Sequence, residues 1–199
     1  MLENKNPKGL LFIISGPAGS GKTTVCDALI HQEKILRIIT STTRPPRNGE
    51  VDGVDYFFLD KATFEEKIQA GAFYEYATVH NNYYGTARSS LVEPILSGRN
   101  LLLNIDVQGA KTISEKASQD PILNGQLVTL FIEPPSVDEL EARLKNRGTD
   151  SEAEIKRRLE VAREEILQKA NYDHVITSAT KEIDFKKVRS IYRYEIERS

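Results

Sequence analysis

The sequence GPAGSGKTT at residues 16–24 constrains the fold more than any other part of the chain. It contains the pattern G-x-x-x-x-G-K-[ST], follows the apolar run Leu10–Ser15, and precedes a helix that we expect from Thr23 to His31. In this pattern the glycines let successive backbone N–H groups point at phosphate oxygens, and the helix N-terminus adds partial positive charge. The spacing therefore predicts a nucleoside triphosphate site in a strand–loop–helix unit.

The residues of this loop have separate expected roles. Lys22 can reach the outer phosphates, which makes it a candidate catalytic residue, and Thr23 can offer its hydroxyl to Mg²⁺, mostly through water and the phosphates. The residues predicted to bind the phosphates are Gly16, Pro17, Ala18, Gly19, Ser20, Gly21, Lys22, Thr23 and Thr24. The alternative is a glycine-rich turn without a ligand, and the Lys-Thr pair in register between a strand and a helix disfavours it.

Three further segments have the apolar pattern of buried strands. They are Leu101–Asp106, Leu127–Glu133 and, more weakly, Asp173–Ser178, and helical sequence separates each from the next. Strands that alternate with helices form crossover units, so this order predicts an α/β fold with a parallel sheet flanked by helices. The irregular stretch at 118–126 is expected to be a surface loop.

Between residues 40 and 86 the pattern changes to turns and short aromatic strands around one helix. That helix is expected at Lys61–Gln69, with Asp60 as its N-cap. The change in pattern predicts an inserted α+β subdomain.

After residue 135 the sequence is mostly helical. Capping boxes at 136–139 and 151–154 begin two helices, the first ending at Gly148 and the second running to about Ala170. The predicted organisation is one domain over residues 1–199, with a core at 9–39, 87–135 and 171–199, an insertion at 40–86, and a lid with its following helix at 136–170.

Charge and cysteine content exclude several classes of protein. The chain has 27 Lys and Arg against 29 Asp and Glu, so it lacks the strong field that non-specific binding to nucleic acid or membranes requires. A single cysteine, Cys26, excludes an internal disulfide. No apolar run approaches the about 20 residues of a membrane span, and the first residues are too polar for a signal peptide. We therefore expect a cytoplasmic protein.

The glycine-rich loop alone leaves three activities open: a GTPase, an ATPase, and a kinase for a small acceptor. A GTPase needs an [NT]-K-x-D motif to read guanine, and the only Asn-Lys pair, Asn4-Lys5, has no Asp at the required position. A second substrate site would favour the kinase. The insertion is the place to look for it.

The insertion contains two candidate elements of an acceptor site. Arg44 and Arg47 flank the stiff pair Pro45-Pro46, and guanidinium groups bind phosphate through two parallel hydrogen bonds. Glu75 lies in the strand FYEYATV, where its carboxylate can accept two hydrogen bonds from the edge of guanine. A solvated basic loop and an outward-facing glutamate are the respective alternatives.

Taken together, these motifs carry a resemblance to a known family. The glycine-rich loop, STTRPPRNGE, DYFF, NYYGT, IDVQGA, PPS and RGT occur in this order over nearly the whole chain, and their joint pattern resembles guanylate kinases. The resemblance implies a core, a GMP-binding insertion and a helical lid. It also implies transfer of the γ-phosphoryl group of ATP, with Mg²⁺, to GMP and to dGMP.

The resemblance assigns roles to individual positions. Those matching the family's phosphate-binding residues are Arg44, Arg47, Tyr56 and Tyr84, and those matching its guanine-binding residues are Thr40, Glu75, Thr86 and Asp106. Arg147 and Arg158 match lid arginines that close over the phosphates, and Arg143 is one helical turn before Arg147. The implied catalytic residues are Lys22, Arg44, Arg147 and Arg158.

The chain departs from the family pattern at three positions, and at one of them, Thr40, a threonine replaces the usual serine but keeps the hydroxyl. Asn104 stands where the family usually has a carboxylate near Mg²⁺, and Ser178 stands where it usually has an asparagine near adenine. Two other functions remain as alternatives: a protein-binding module without catalysis, and a kinase for another small acceptor. The expected partners are small-molecule substrates rather than nucleic acid or membrane, and the sequence leaves open a monomer or a homodimer.

Overall fold

The structure is a computed structural model, and it describes residues 8–79, 81–146 and 151–199. In chain order it contains β1 (Leu11–Ser15), α1 (Lys22–Gln32), β2 (Leu36–Arg37), β3 (Ser41–Thr42), β4 (Phe57–Phe58), α2 (Lys61–Gln69), β5 (Phe73–Val79), β6 (Asn82–Ala87), α3 (Ser89–Leu96), β7 (Leu101–Asn104), α4 (Val107–Ala117), β8 (Leu127–Glu133), α5 (Val137–Asn146), α6 (Glu152–Leu167), β9 (His174–Thr177) and α7 (Lys181–Arg198). A 3-10 helix at Gln168–Asn171 follows α6. Among these helices none is both long and apolar enough to cross a membrane.

The core is a parallel sheet with the strand order β2-β7-β1-β8-β9. The central strand β1 pairs with β7 on one side and β8 on the other, so that Leu11 lies beside both Leu101 and Leu127. All five residues of β1 are buried, as a strand covered on both faces requires. The predicted α/β fold with a parallel sheet is confirmed.

Alternate residues of β1 enter two separate apolar layers. Phe12 and Ile14 pack with α1 and α7, whereas Leu11 and Ile13 pack with α3 and α4. This alternation follows from the two-residue period of a strand. Cys26 of α1 is 3% exposed in the first layer, and burial raises the pKa of its thiol to about 12.

The structure differs from the sequence-based expectations in four details. The two-residue edge strand β2 was not predicted, and the strand expected at Leu101–Asp106 ends at Asn104. Helix α6 ends at Leu167, and the chain continues as a 3-10 helix. The stretch at 118–126 is more than a surface loop, because Leu123 is 1% exposed and packs in the second apolar layer.

The insertion forms a second sheet with the order β4-β3-β6-β5. Helix α2 covers this sheet through Phe64, which is completely buried and stacks on Phe73 and Tyr83 at centroid distances of 4.4 and 5.2 Å. The Asp60 side chain accepts a hydrogen bond from the backbone N–H of Thr63, as its predicted N-cap role requires. A small α+β unit is thus present where the sequence predicted it.

Helices α5 and α6 share a small apolar cluster, which includes Leu140, Leu144, Ile155 and Leu159. Ser136 and Ser151 each accept a hydrogen bond from the backbone N–H three residues later, as in the predicted capping boxes. The predicted helix end at Gly148 lies outside the described residues.

Candidate active site

The glycine-rich loop joins β1 to α1 in a conformation that requires its glycines. Gly16 has φ +139°, and a Cβ there would lie 2.3 Å from the carbonyl oxygen of Ile132. Gly19 has φ +89° and packs under α5, since a Cβ there would lie 3.1 Å from Leu140 and 3.3 Å from Leu144. The loop is therefore enclosed by β8 on one side and by the lid helix on the other.

Lys22 is the first residue of α1 and folds back over this loop. Its Nζ donates to the carbonyl oxygens of Gly16 and Pro17 at 2.6 and 2.9 Å. The N-cap of the helix is Gly21, which has no side chain to accept from the first N–H groups of α1. These N–H groups and the ammonium group provide the positive potential that a polyphosphate requires.

Thr23 and Asn104 lie beside this loop, and each carries a side-chain oxygen of the kind that binds a metal ion. The Nδ2 of Asn104, at the carboxyl end of β7, donates to Thr23 Oγ1 at 3.3 Å, so the amide and the hydroxyl face the same space. Nowhere among the described residues do three or more His, Cys, Asp or Glu side chains form a metal cluster. A hydroxyl and an amide suit a Mg²⁺ ion that is held mainly by phosphates and water.

The acceptor clamp, defined as Arg44, Arg47, Tyr56 and Tyr84, lies on the insertion. Arg44 Nη1 and Nη2 donate to the two carboxylate oxygens of Glu50, both at 2.9 Å, and Nη1 also donates to the carbonyl oxygen of Pro45 at 2.7 Å. The Arg44 side chain is only 12% exposed in this pair. Its position is thus fixed by the loop that the two prolines stiffen.

Aromatic rings hold Arg44 from the sides. Its guanidinium carbon lies 5.4 Å from the centroid of Tyr56 and 5.8 Å from that of Phe58, within the range of cation–π contacts. The hydrogen bonds from Arg44 lower the pKa of the Glu50 carboxyl, and those to Glu50, aided by Tyr84, raise the pKa of Arg44. Both groups are therefore ionised across the physiological pH range.

Arg47 differs from Arg44 in its surroundings. Its backbone N–H donates to Glu50 at 2.7 Å, while the residue itself is exposed. The structure places no carboxylate within ion-pair distance of its guanidinium among the described residues. The charge of Arg47 helps to lower the pKa of the Glu50 carboxyl, so Arg44 and Arg47 share this acidic neighbour.

The predicted guanine-binding residues align across neighbouring strands. Glu75 of β5 pairs with Thr86 of β6, and Thr40 directly precedes Ser41, which pairs with Gly85 next to Thr86. Thr86 Oγ1 donates to Glu75 Oε1 at 2.7 Å, and the two residues are 0% and 2% exposed respectively. One carboxylate oxygen is thus held by Thr86, and the pair forms a buried polar contact within the insertion sheet.

The Glu75 carboxyl has an unusual titration. Its pKa is raised to about 7, mainly by burial and with a smaller contribution from the Asp106 carboxylate, while the hydrogen bond from Thr86 acts in the opposite direction. Asp106 is the N-cap of α4, where its side chain accepts from the backbone N–H of Gly109 at 2.9 Å. The fold therefore places Asp106 beside the insertion sheet.

Of the arginines discussed for the predicted lid, the structure describes Arg143 and Arg158. Arg158 donates from Nε to Glu154 at 2.9 Å and its side chain is 16% exposed, and hydrogen bonds from Arg157 and Arg158 lower the pKa of Glu154 to about 2. Arg147, the other predicted lid residue, lies outside the described residues. Arg143 lies within them and contacts Ser178, the position that departs from the family pattern.

Two acidic residues of the site were missed in the sequence analysis. Glu50 is only six residues from Arg44, but the sequence does not reveal their bidentate contact. Glu165 of α6 is seven residues after Arg158, a spacing that puts both on one helix face and could have indicated it. Burial raises the pKa of Glu165 to about 7, while Lys22 lowers it and Asp106 raises it. The charges of Lys22 and Asp106 thus both act on Glu165, and the charge of Asp106 also acts on Glu75.

Comparison with known proteins agrees with this arrangement. The guanylate kinase family model matches residues 8–195 of the chain. A guanylate kinase of Clostridioides difficile is 41% identical over 189 residues, which cover 94% of this chain and 89% of the relative. A guanylate kinase of Novosphingobium aromaticivorans is 43% identical over 94% of this chain and 83% of its own length.

Similarity extends to a solved structure. The crystal structure of guanylate kinase from Anaplasma phagocytophilum superimposes with a TM-score of 0.76 at 32% sequence identity, covering 96% of this chain and 87% of that one. The similarity therefore spans the core, the insertion and the lid helices together.

Proposed function

The chain belongs to the guanylate kinase family, and from this premise we propose that it transfers the γ-phosphoryl group of ATP to GMP, giving ADP and GDP. We include dGMP among its acceptors. The observation that carries the proposal is the buried pair Glu75 and Thr86, which lies on the insertion sheet opposite a complete phosphate-binding loop. An ionised Glu75 can accept two hydrogen bonds from the ring N–H and the exocyclic amine of guanine, whereas adenine offers no such pair of donors.

The reaction joins an oxygen of the GMP phosphate to the γ-phosphorus and breaks the bond between that phosphorus and the bridging oxygen of ADP. The attacking phosphate is already an anion near neutral pH, so the step needs no general base and depends on positioning and charge neutralisation. In this proposal Arg44, Arg47, Tyr56 and Tyr84 hold the acceptor phosphate. Lys22 and the N–H groups at the start of α1 hold the outer phosphates of the donor.

The remaining predicted residues complete this assignment. Thr40 and Asp106 join Glu75 and Thr86 around the base, and Arg147 and Arg158 approach the transferred group from the lid. Thr23 and Asn104 would hold Mg²⁺ through water, where the ion would neutralise charge on the phosphates. The insertion and the lid are the parts that we propose to close around the substrates.

A protein-binding module without catalysis is disfavoured by the chemistry of the loop. Lys22 and Thr23 are both present, and the conformation of Gly16 keeps the backbone open for phosphate. A kinase for another acceptor is disfavoured by the burial of Glu75. The one thiol of the chain is buried, which is compatible with the cytoplasmic location that we propose.

The decisive experiment is a coupled assay of ADP release with ATP, Mg²⁺ and each of GMP, dGMP, AMP, UMP and CMP. We expect turnover with GMP and dGMP and little with the other three. Equal turnover with AMP would reject the assignment of Glu75 and Thr86 to guanine. No turnover with any acceptor would reject the kinase itself.

A further inference from the structure

The register of β5 shifts by one residue just before Glu75. Phe73 pairs with Ala87 and Glu75 pairs with Thr86, so Tyr74 is an extra residue between two consecutive pairs. Such a β-bulge leaves its extra residue outside the hydrogen-bonded ladder and changes the direction of the side chains that follow. The bulge therefore lies directly beside the residue that we propose binds guanine.

The bulge determines which face of the insertion sheet Glu75 occupies. Side chains alternate between the two faces along a strand, and paired residues share a face, so the neighbours Thr86 and Ala87 of β6 point to opposite faces. Their partners Glu75 and Phe73 therefore also point to opposite faces, although they are two residues apart on β5. Phe73 stacks on Phe64 of α2. In a regular strand Glu75 would share that face with Phe73 and would point away from Thr86.

Lys116, in the last turn of α4, binds the bulge. Its Nζ donates to the backbone carbonyl oxygen of Tyr74 at 2.9 Å, and this carbonyl belongs to the peptide unit that carries the N–H of Glu75. The Tyr74 side chain is buried and packs in the second apolar layer of the core. Both the carbonyl and the side chain of the bulged residue are thus held by the core rather than by the insertion.

The charge of Lys116 also acts on Glu75. Burial and the Asp106 carboxylate raise the pKa of the Glu75 carboxyl, whereas the hydrogen bond from Thr86 and the charge of Lys116 lower it. Asp106 is the N-cap of α4 and Lys116 lies in its last turn, so the two ends of one helix act on Glu75 with opposite signs. An ionised carboxylate only accepts hydrogen bonds, as the two donors of guanine require, so Lys116 favours the form that binds.

We propose that Lys116 is a positioning residue for guanine recognition, which binds the Tyr74 carbonyl and places its charge near Glu75 so that this carboxylate is held toward the base of the acceptor. The inference rests on the proposed function, because it takes Glu75 as the residue that binds guanine. Lys116 acts through Glu75 and makes no contact with the acceptor. Selectivity for guanine thereby depends on how α4 of the core packs against β5 of the insertion.

The test measures kcat/KM of Lys116→Met in the coupled assay with GMP and with inosine monophosphate (IMP) as acceptors. The base of IMP keeps the ring N–H of guanine but lacks its exocyclic amine. We expect Lys116→Met to lower kcat/KM about 10-fold for GMP, which uses both donors, and about 3-fold for IMP, which uses one. A general loss of structure would instead lower both by the same factor. KM for ATP should change less than about twofold, because the glycine-rich loop is untouched.

Lys111→Met is the matched control on the same helix. The Lys111 side chain is 69% exposed and pairs with Glu115 at 3.8 Å, so its replacement should leave kcat/KM for both acceptors unchanged. Lys116→Arg keeps a positive charge and N–H donors, and it should retain the preference for GMP over IMP. Lys116 is itself exposed, so both replacements at this position should keep the fold, which circular dichroism checks.

Combination with Glu75→Gln tests whether Lys116 acts through Glu75. In the Glu75→Gln background, Lys116→Met should change kcat/KM for GMP less than about twofold, because the carboxylate that it positions is already gone. The proposal is overturned if Lys116→Met keeps the wild-type preference for GMP over IMP, or if its effect is the same with and without the Glu75 carboxylate. Because wild-type turnover is measured in the same series, an inactive wild type would reject the proposed function instead.

Discussion

The acceptor clamp and the glycine-rich loop both carry cations that we propose bind phosphate, but they hold these cations differently. Arg44 is fixed by a charged partner, Glu50, and by two aromatic rings, all within the insertion. Lys22 donates to two carbonyl groups of its own loop, and its charge also lowers the pKa of Glu165. Hydrogen bonds between charged groups are stronger than those to neutral ones. The bidentate ion pair of Arg44 therefore indicates a preformed clamp.

The largest effect should come from the loop. Lys22→Ala is expected to lower kcat by about 10³-fold, because no other ammonium group in the loop can neutralise charge that develops on the transferred phosphoryl group. The coupled ADP-release assay measures this loss, and circular dichroism checks that the fold is kept. Lys111→Ala, at an exposed position on α4, serves as a control that should behave like wild type. Full activity in Lys22→Ala would remove the loop from the mechanism.

The second-largest effect should come from the residues proposed to bind the guanine base. Glu75→Gln replaces one acceptor oxygen with an amine that faces the guanine amine, so KM for GMP should rise about 10- to 100-fold. KM for ATP should change little, because the loop is untouched. The same assay with each substrate varied separately measures both constants. An equal rise in the two would contradict a role confined to the acceptor.

A smaller effect, on KM for GMP, should come from substitution of Glu50. It distinguishes a clamp in which Glu50 holds Arg44 in place from one in which Glu50 competes with the phosphate of the acceptor. If Glu50 positions Arg44, Glu50→Gln should raise KM for GMP roughly fivefold to tenfold, because one of the two parallel hydrogen bonds and the charge of the carboxylate are lost. If Glu50 instead occupies the site of the GMP phosphate, KM for GMP should fall. Glu65→Gln is the control, since Glu65 makes a single hydrogen bond to Tyr83 in the same subdomain.

The smallest effect should appear in the stability of the ligand-free protein. The folded-state pKa of Glu75 is about 7, above the ordinary glutamate value, so this residue contributes stability that is present at low pH and is lost as pH rises through 7. Between pH 6 and pH 8 wild type should lose about 1 kcal/mol of unfolding free energy relative to Glu75→Gln. Urea denaturation of both proteins at the two pH values measures the difference. A constant difference would mean that the carboxyl titrates at its usual pKa.

Sequence patterns predicted the central sheet well because its strands are nearly continuous apolar runs. β1 and β8 begin or end within a residue of the expected positions. The edge strand β2 has two residues, one of them the exposed Leu36, and so it has no apolar period to detect. Leu123 was read as part of a surface loop, since a single apolar residue among polar ones does not reveal that tertiary packing buries it.

In the candidate site, too, the sequence predicted the local features but not those that depend on tertiary packing. The glycine-rich loop is local, and its spacing alone predicted the backbone that the structure contains. The alignment of Thr40, Thr86 and Glu75 depends on the register of three strands, which the sequence does not specify without a resemblance to guide it. The role of Glu165 depends on how α6 packs against the core, and its seven-residue spacing from Arg158 is the one local signal for it.

Because Cys26 is buried, the reactivity of this single thiol reports on the opening of α1, the helix that follows the glycine-rich loop. Thiol reagents require a thiolate that solvent can reach, and the buried thiol on the inner face of α1, with a pKa of about 12, provides neither. Labelling therefore proceeds only when α1 separates from α7 and the sheet. The labelling rate, measured with and without ATP, would give the free energy of that opening and the fraction of it that the nucleotide contributes.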